Sequence, residues 1–398
     1  MMTRFGVNYV PSKNWWYSWL EWNDTEIAED LQAIADLGCD HVRIHCLWTL
    51  FQPDPAMVSP TMLSRLEQLL DIADRVGLDV IVTVLNGWLS GFDFRPAWIP
   101  EQASIFSDQA VVAAEKLLFT AIAERVGTHP RFLGFDVANE PSVLISETRN
   151  ITNRAEADGW AKEMLSHCED VAPGKFHTVG MDHVPWLSEH PFSRGVLAGT
   201  GSATPIHAWI FFTGALERYG EFGTGTLHLT EYMLELAKAY SQEPTRQVWL
   251  QEFGIATEWA QDLEHDDFAE KAALSALSVD GLWGVTWWCS HDIDRGLGAF
   301  VELEYDLGLF TTDNQLKPTG QRLKAIMEEV RQGKLSARAE RTIAVVLPQG
   351  RTPGLDFADT FFALIDEGKK PAIVLEENAL DHDYLKTRGI ETLVRLGE

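Results

Sequence analysis

Short β-branched and apolar runs alternate with longer stretches in which apolar positions recur every three or four residues. The runs Arg4–Tyr9, His41–Cys46, Asp79–Leu85, Phe132–Val137, Phe176–Met181, Pro205–Trp209, Gln247–Gln251 and Gly284–Cys289 predict strands. Between them, Asp24–Leu37, Thr61–Val76, Asp108–Val126, Asn153–Asp170, Leu227–Ser241, Asp266–Val279 and Pro318–Arg331 predict amphipathic helices. Asp24 is the expected N-cap of the first helix, and Gly38, Gly77 and Gly127 stop the first three. The segment after Met181 has no clear period. Repeated strand–helix units over residues 4–331 predict a parallel (β/α)8 TIM barrel. An open doubly wound sheet should carry a Gly-rich phosphate loop after its first strand, but Asn8-Tyr9-Val10-Pro11 stands there.

After Arg331 the pattern restarts. Thr342–Leu347, Pro371–Leu375 and Glu391–Arg395 predict strands, and Phe357–Glu367 predicts a helix. This reads as a small α/β unit, half of a flavodoxin-like domain, so the expected division is a catalytic barrel at 1–335 and a C-terminal unit at 336–398. So few strands leave exposed edges and a thin core. The unit is therefore expected to pack on the barrel or on another subunit, as a candidate oligomerisation element.

Composition narrows the partners. The 398 residues carry a formal net charge of −27, which argues against nucleic acid and anionic membranes and suits a neutral substrate. No apolar run approaches the length of a membrane span, and the first residues lack the apolar stretch of a signal peptide. Cys39, Cys46, Cys168 and Cys289 are scattered and read as reduced thiols, so the expected setting is the cytoplasm. Tryptophan is abundant. Trp15, Trp16, Tyr17, Trp19 and Trp22, then Trp88, Phe92, Phe94 and Trp98, cluster in Pro/Gly-interrupted stretches. Aromatic faces there would stack on sugar rings; core packing is the competing reading.

In such barrels the reacting side chains stand at the C-terminal ends of strands. Those positions hold Asn8; Arg43 and His45; Asn86 and Trp88; Asn139-Glu140-Pro141; Asp182 and His183; His207 and Trp209; Gln251-Glu252-Phe253-Gly254; and Trp287-Trp288, followed by His291 and Asp292. Hydrolysis of a glycosidic bond needs two carboxyl groups flanking the anomeric carbon. Glu140 and Glu252 are the only glutamates in this set, on the fourth and seventh strands. Glu140 as proton donor needs a raised pKa, and Arg43 is expected to lower that of Glu252. Asn139 is placed to meet the sugar 2-hydroxyl, His207 to position the nucleophile, and Trp288 to floor the reactive subsite. Taken singly, Asn-Glu-Pro can open a helical turn, Arg43 can serve a structural ion pair, and His207 can be a core histidine; the order on successive strands is what is specific. His291-Asp292-Ile293-Asp294 contains metal-capable side chains, but loop spacing alone makes no site, and no metal or cofactor is expected.

These motifs resemble clan A glycoside hydrolases, and within them family 5. Val42-Arg43-Ile44, Asn139-Glu140-Pro141, His207-Ala208-Trp209, Gln251-Glu252-Phe253-Gly254 and Trp287-Trp288 carry the resemblance. It implies Glu140 as acid/base, Glu252 as nucleophile and Arg43 beneath it. The family's sixth-strand His-x-Tyr appears here with Trp209, which lacks the tyrosine hydroxyl that reaches the nucleophile, and Asn86 replaces a frequent third-strand histidine. The C-terminal unit resembles a remnant of the second domain of trimeric family 42 β-galactosidases. The combination is similar to intracellular bifidobacterial family 5 β-mannosidases acting on the Manβ1-4GlcNAc core of N-glycans. The resemblance implies a retaining, exo-acting β-mannosidase for small oligosaccharides, and a homo-oligomer with a trimer favoured. An endo-β-1,4-mannanase or endoglucanase, and a non-catalytic sugar-binding barrel, are the rivals; the choice of mannose or glucose stays open.

Overall fold

The computed structural model describes residues 3–146, 148–258, 260, 264–335 and 339–396. The eight strands of the barrel are β1 Arg4–Asn8, β2 His41–Leu47, β3 Asp79–Asn86, β4 Phe132–Asn139, β5 Thr178–Gly180, β6 Thr204–His207, β7 Val248–Glu252 and β8 Leu282–Trp288. All pairings are parallel, in the order β5-β4-β3-β2-β1-β8-β7-β6, and β5 packs beside β6 to complete the ring. The strands are buried along almost their whole length, which is why they read as continuous apolar runs. Register then levels the strand ends: Asn8 stands opposite Arg43 and Trp288, Asn139 opposite Gly180, and His207 opposite Glu252.

Seven helices follow the predicted periods, α1 Asp24–Leu37, α2 Pro60–Val76, α3 Gln109–Val126, α4 Arg154–Val171, α6 Leu229–Tyr240, α7 His265–Leu277 and α8 Pro318–Arg331, while α5 Arg194–Gly199 had no predicted counterpart. The cap of α1 is Asn23 rather than Asp24: its side chain accepts from the Thr25 and Glu26 N–H groups. Gly38 and Gly77 end α1 and α2 in the left-handed region, at φ 104° and 83°, as C-terminal glycines do. Gly127 ends α3 at an ordinary φ of −60°. The aperiodic stretch after Met181 holds two short helical pieces, Val184–Leu187 and α5.

Beyond α8, β9 Ile343–Leu347, α9 Leu355–Asp366, β10 Pro371–Leu375, α10 His382–Thr387 and β11 Thr392–Val394 form a unit with a three-stranded parallel sheet, ordered β10-β9-β11. The single short turn of α10 carries too little period to be seen in sequence. The expected boundary after residue 335 abuts residues 336–338, which lie outside the described residues. Of the two docking surfaces expected for this unit, the barrel is the one seen. Val345, Leu347, Ile373, Phe361 and Phe362 continue the barrel's own core, and the Tyr232 ring of α6 lies 5.4 Å from Phe361. Glu231 and Glu235 of α6 are fully buried. Arg341 meets them at 2.7 and 3.2 Å, and Arg388 meets Glu235 at 2.7 Å. Among the described residues no helix is long and apolar enough to cross a membrane. All four cysteines are free.

Candidate active site

Arg43 organises the mouth of the barrel. Its buried guanidinium donates to Glu252 Oε1 at 2.6 Å, Asn8 Oδ1 at 2.9 Å, Asn139 Oδ1 at 2.8 Å and Asp136 Oδ2 at 2.9 Å. One planar cation thus joins side chains from β1, β4 and β7 and balances two buried carboxylates, which lysine's point charge would not do. The guanidinium reaches them by passing Gly180 of β5. A Cβ there would stand 2.9 Å from Arg43 Nη2 and 2.7 Å from Gln251 Oε1, so the position requires glycine.

Glu140 follows β4 in the left-handed region, at φ 47° and ψ 52°. A glutamate rarely adopts that conformation, and such strain gathers at functional sites. The Glu140 N–H donates to Gly180 O at 2.9 Å, and Pro141 opens a helical turn behind it, as the sequence allowed. Glu140 and Glu252 face each other across His207. His207 Nδ1 lies 2.7 Å from Glu140 Oε1 and 3.3 Å from Glu252 Oε2. An oxygen of each carboxyl and the ring nitrogen all fall within 4.8 Å of one another. His207 was expected to position the nucleophile; its shorter contact is to Glu140. His207 Nε2 lies 2.8 Å from Gln251 Oε1. With that oxygen as acceptor the ring proton sits on Nε2, and Nδ1 accepts from the Glu140 carboxyl in its protonated form. This trio has the donor types of a metal site, but the Arg43 guanidinium already holds Glu252, and a cation would be repelled there.

Burial, aided by the nearby Asp182 charge and opposed by Arg43, pushes the Glu140 carboxyl up to about 8. Asp182 is itself held by a hydrogen bond from the Ser142 hydroxyl. Burial also lowers His207, keeping its imidazole neutral. The sequence expectation for Glu252 needs correction. Burial raises its carboxyl above the ordinary value, outweighing His207 and Arg43, which pull it down. Trp209 needs correction too: its indole N–H points at Glu252 Oε2 from 3.3 Å, so a donor does stand where a hydroxyl was missed.

A cavity of about 810 Å³ opens over this pair. Trp88, Asn139, Glu140, His183, Trp209, Glu252 and Trp288 line it, as the sequence suggested. The Asn139 side chain also donates to Trp88 O at 2.9 Å, tying β4 to the loop after β3. That loop is a hairpin, Trp88–Leu89 against Phe92–Asp93, turning at Ser90 and Gly91 with φ 48° and 85°, the sign a tight two-residue turn demands.

Six expected site residues do not line the cavity: Arg43 and His207 act from behind Glu252 and Glu140, and four others stand farther from the pair. Asn86 is buried behind the cavity, where its Oδ1 meets His45 Nδ1 at 2.8 Å, and His45 in turn stands edge-on to Trp288. Trp287 points outward, donating to Leu307 O at 3.0 Å. His291 is buried against Asn314 and Val10, and Asp292 pairs with Lys317 at 2.8 Å. Most of the aromatic loop residues are also structural. Trp15, Trp16 and Trp19 are buried, and Trp15, Phe92, Phe94 and Phe300 pack together, bracing the hairpin against the loop after β8. Sequence reasoning passed over Val143, Phe212, Glu258, Glu302, Leu303 and Glu304, which line the cavity from loops without periodic signal.

Comparison with known proteins agrees with this geometry. The family model for cellulase, glycosyl hydrolase family 5, matches residues 3–186. A GH5_18 variant from Streptomyces cattleya, solved in complex with Manβ1-4GlcNAc, is 37% identical, with 99% of this chain and 98% of that chain covered and a TM-score of 0.93. The chain belongs to glycoside hydrolase family 5. A GH5_18 variant from Bifidobacterium longum subsp. longum ATCC 55813, also in complex with Manβ1-4GlcNAc, is 30% identical over 100% of this hydrolase and 96% of its own chain, with a TM-score of 0.91. At 22% identity, an exo-β-1,4-mannosidase from Opitutaceae bacterium strain TAV5 shares the fold, with 94% of this chain and 69% of that chain covered and a TM-score of 0.79. No curated protein matches this glycoside hydrolase.

Proposed function

We propose that this hydrolase is a retaining, exo-acting β-mannosidase that cleaves short β-mannosides such as Manβ1-4GlcNAc. The observation that carries the mechanism is the spacing of the two carboxyls, with oxygens within 4.8 Å. Retaining enzymes hold their carboxyls about 5–5.5 Å apart, whereas inverting ones leave about 6.5–9.5 Å for a water. Glu140, protonated at neutral pH, delivers its proton to the leaving oxygen while Glu252 attacks the anomeric carbon. Glu140, now a base, then takes a proton from the water that releases the sugar. Arg43 and the Trp209 indole hold the Glu252 carboxylate toward the sugar. The disaccharide in the Streptomyces and Bifidobacterium relatives supports the substrate. The hairpin after β3 and the loop after β8, which wall the cavity, support exo action. A cytoplasmic setting and a trimer belong to the same reading; solution scattering tests the trimer.

The deciding experiment follows an aryl β-mannoside and Manβ1-4GlcNAc by proton NMR. The β-anomer of mannose is expected first, and Glu252→Ala should abolish turnover. Wild-type rates in that variant, or initial release of the α-anomer, refute the assignment. Mannose and mannopentaose as the first products from mannohexaose support exo action; early mannobiose with mannotetraose, or mannotriose, refutes it.

A further inference from the structure

A third carboxyl faces the reacting pair. Glu304 stands on a short 3-10 turn, Glu302–Asp306, in the loop after β8, and borders the cavity with Glu140 and Glu252. The acidic residues on either side of it are paired: Glu302, at the cavity rim, and Asp306 meet Arg295 at 2.8 and 2.9 Å. Among the described residues no cation pairs with Glu304. Across from it the Ser90 hydroxyl at the hairpin tip lines the same cavity, and its oxygen is buried with no hydrogen-bond partner among the described residues. Burial together with the Glu252 and Glu140 charges raises the Glu304 carboxyl to about 7, with Glu252 felt more strongly. By surface area the side chain is half-buried and opens onto the cavity, so a ligand that fills the cavity would complete its hydrogen bonds.

We propose that Glu304 is a specificity-determining residue that accepts hydrogen bonds from hydroxyls of the glycone, beyond C2, and with Ser90 closes that end of the pocket. The inference rests on the glycosidase reading above. The polarity follows from chemistry. In this proposal the leaving group takes the side of the proton donor Glu140, which feels the Asp182 charge. The glycone then takes the side of Glu252, whose charge Glu304 feels more than that of Glu140, in the part of the cavity lined by Trp288, Ser90 and Glu304. A sugar offers hydroxyl donors and no positive charge, so a carboxylate without a cation is a fitting acceptor. Hydrogen bonds to a charged acceptor are worth roughly tenfold to a hundredfold in affinity.

The test pairs variants with substrate analogues. Glu304→Gln and Glu304→Ala, checked for unchanged melting, are compared with wild type on aryl β-mannosides and their 3-, 4- and 6-deoxy forms. Glu304→Ala should lower kcat/KM about tenfold to a hundredfold on the parent sugar. It should lose little further on the one analogue lacking the contacted hydroxyl, with Glu304→Gln between. An equal penalty on every analogue, or none on the parent, overturns the proposal. The same comparison by calorimetry, with mannose and its deoxy forms, needs no turnover. A wild type that binds mannose through Glu304 yet hydrolyses no β-mannoside overturns the catalytic reading alone. Mannose binding unaffected by either variant overturns this one.

Discussion

Replacing Glu140 by glutamine should make the protein less active and, at alkaline pH, more stable. The carboxyl rises from 4.5 to about 8 in the folded chain. Between those values the native state keeps a proton that the unfolded chain has released. Stability from this group is therefore fully present below pH 4.5 and is lost as pH climbs to about 8. The whole shift corresponds to roughly 5 kcal/mol at about 1.4 kcal/mol per unit. The side chain keeps 16% of its surface exposed, so water relieves part of the strain, and we expect about 2–3 kcal/mol. Glutamine stays neutral throughout. The stability difference between Glu140→Gln and wild type should thus grow by about 2–3 kcal/mol from pH 5 to pH 9, about 2–3 °C in Tm for a chain this long. Urea melts at both pH values measure it, and groups unaffected by the substitution cancel in the difference. In wild type, kcat/KM should fall tenfold per pH unit above about 8, because the donor must be protonated. Glu140→Gln should lose roughly a hundredfold to ten-thousandfold on substrates with poor leaving groups. A stability gap that stays flat from pH 5 to pH 9, or an alkaline limb centred below pH 6, refutes the reasoning.

Three further outcomes follow from the same contacts. Asp182→Asn keeps the bond to Ser142 but removes the charge that helps raise Glu140, so the alkaline limb should move down by about half to one unit; a limb that stays put counts against it. Trp209→Phe removes the N–H facing Glu252, which should cost about tenfold in kcat/KM and move the acidic limb upward, since that donor favours the ionised form; an unmoved acidic limb would show the indole to be mere packing. Arg341→Met leaves Glu231 and Glu235 buried beside a missing cation and should destabilise the chain by about 3–5 kcal/mol in urea, with kcat unchanged at 25 °C.

The barrel was legible because parallel strands covered on both faces must be continuously apolar, and helices on one face must repeat at 3.6 residues. Those two periods located all eight barrel strands and the main helices to within a few residues. Glu140 and Glu252 were legible because the fold sends strand-end side chains to one mouth. Which strand-end residues face inward was harder to read. Trp288 borders the cavity while Trp287, one residue earlier, points to the outer layer, and Asn86 works through His45. Such parity depends on register, which alternation cannot reveal when both faces are apolar. The buried Trp15, Trp16 and Trp19 sit among polar neighbours because loops pack on loops there, and that contact has no sequence period. Glu304 left no trace for the same reason: an acidic residue in a long connection looks like solvated surface until the loop folds back.

The Arg43 fork has a consequence for how this scaffold diversifies. It clamps residues at the ends of separate strands, so the distance between the Glu140 and Glu252 carboxyls is set by the rigid frame. The hairpin and the 3-10 turn, which border the cavity, hang from that frame as exchangeable parts. New specificities can therefore be sought by grafting those two segments from a relative while leaving every strand residue untouched.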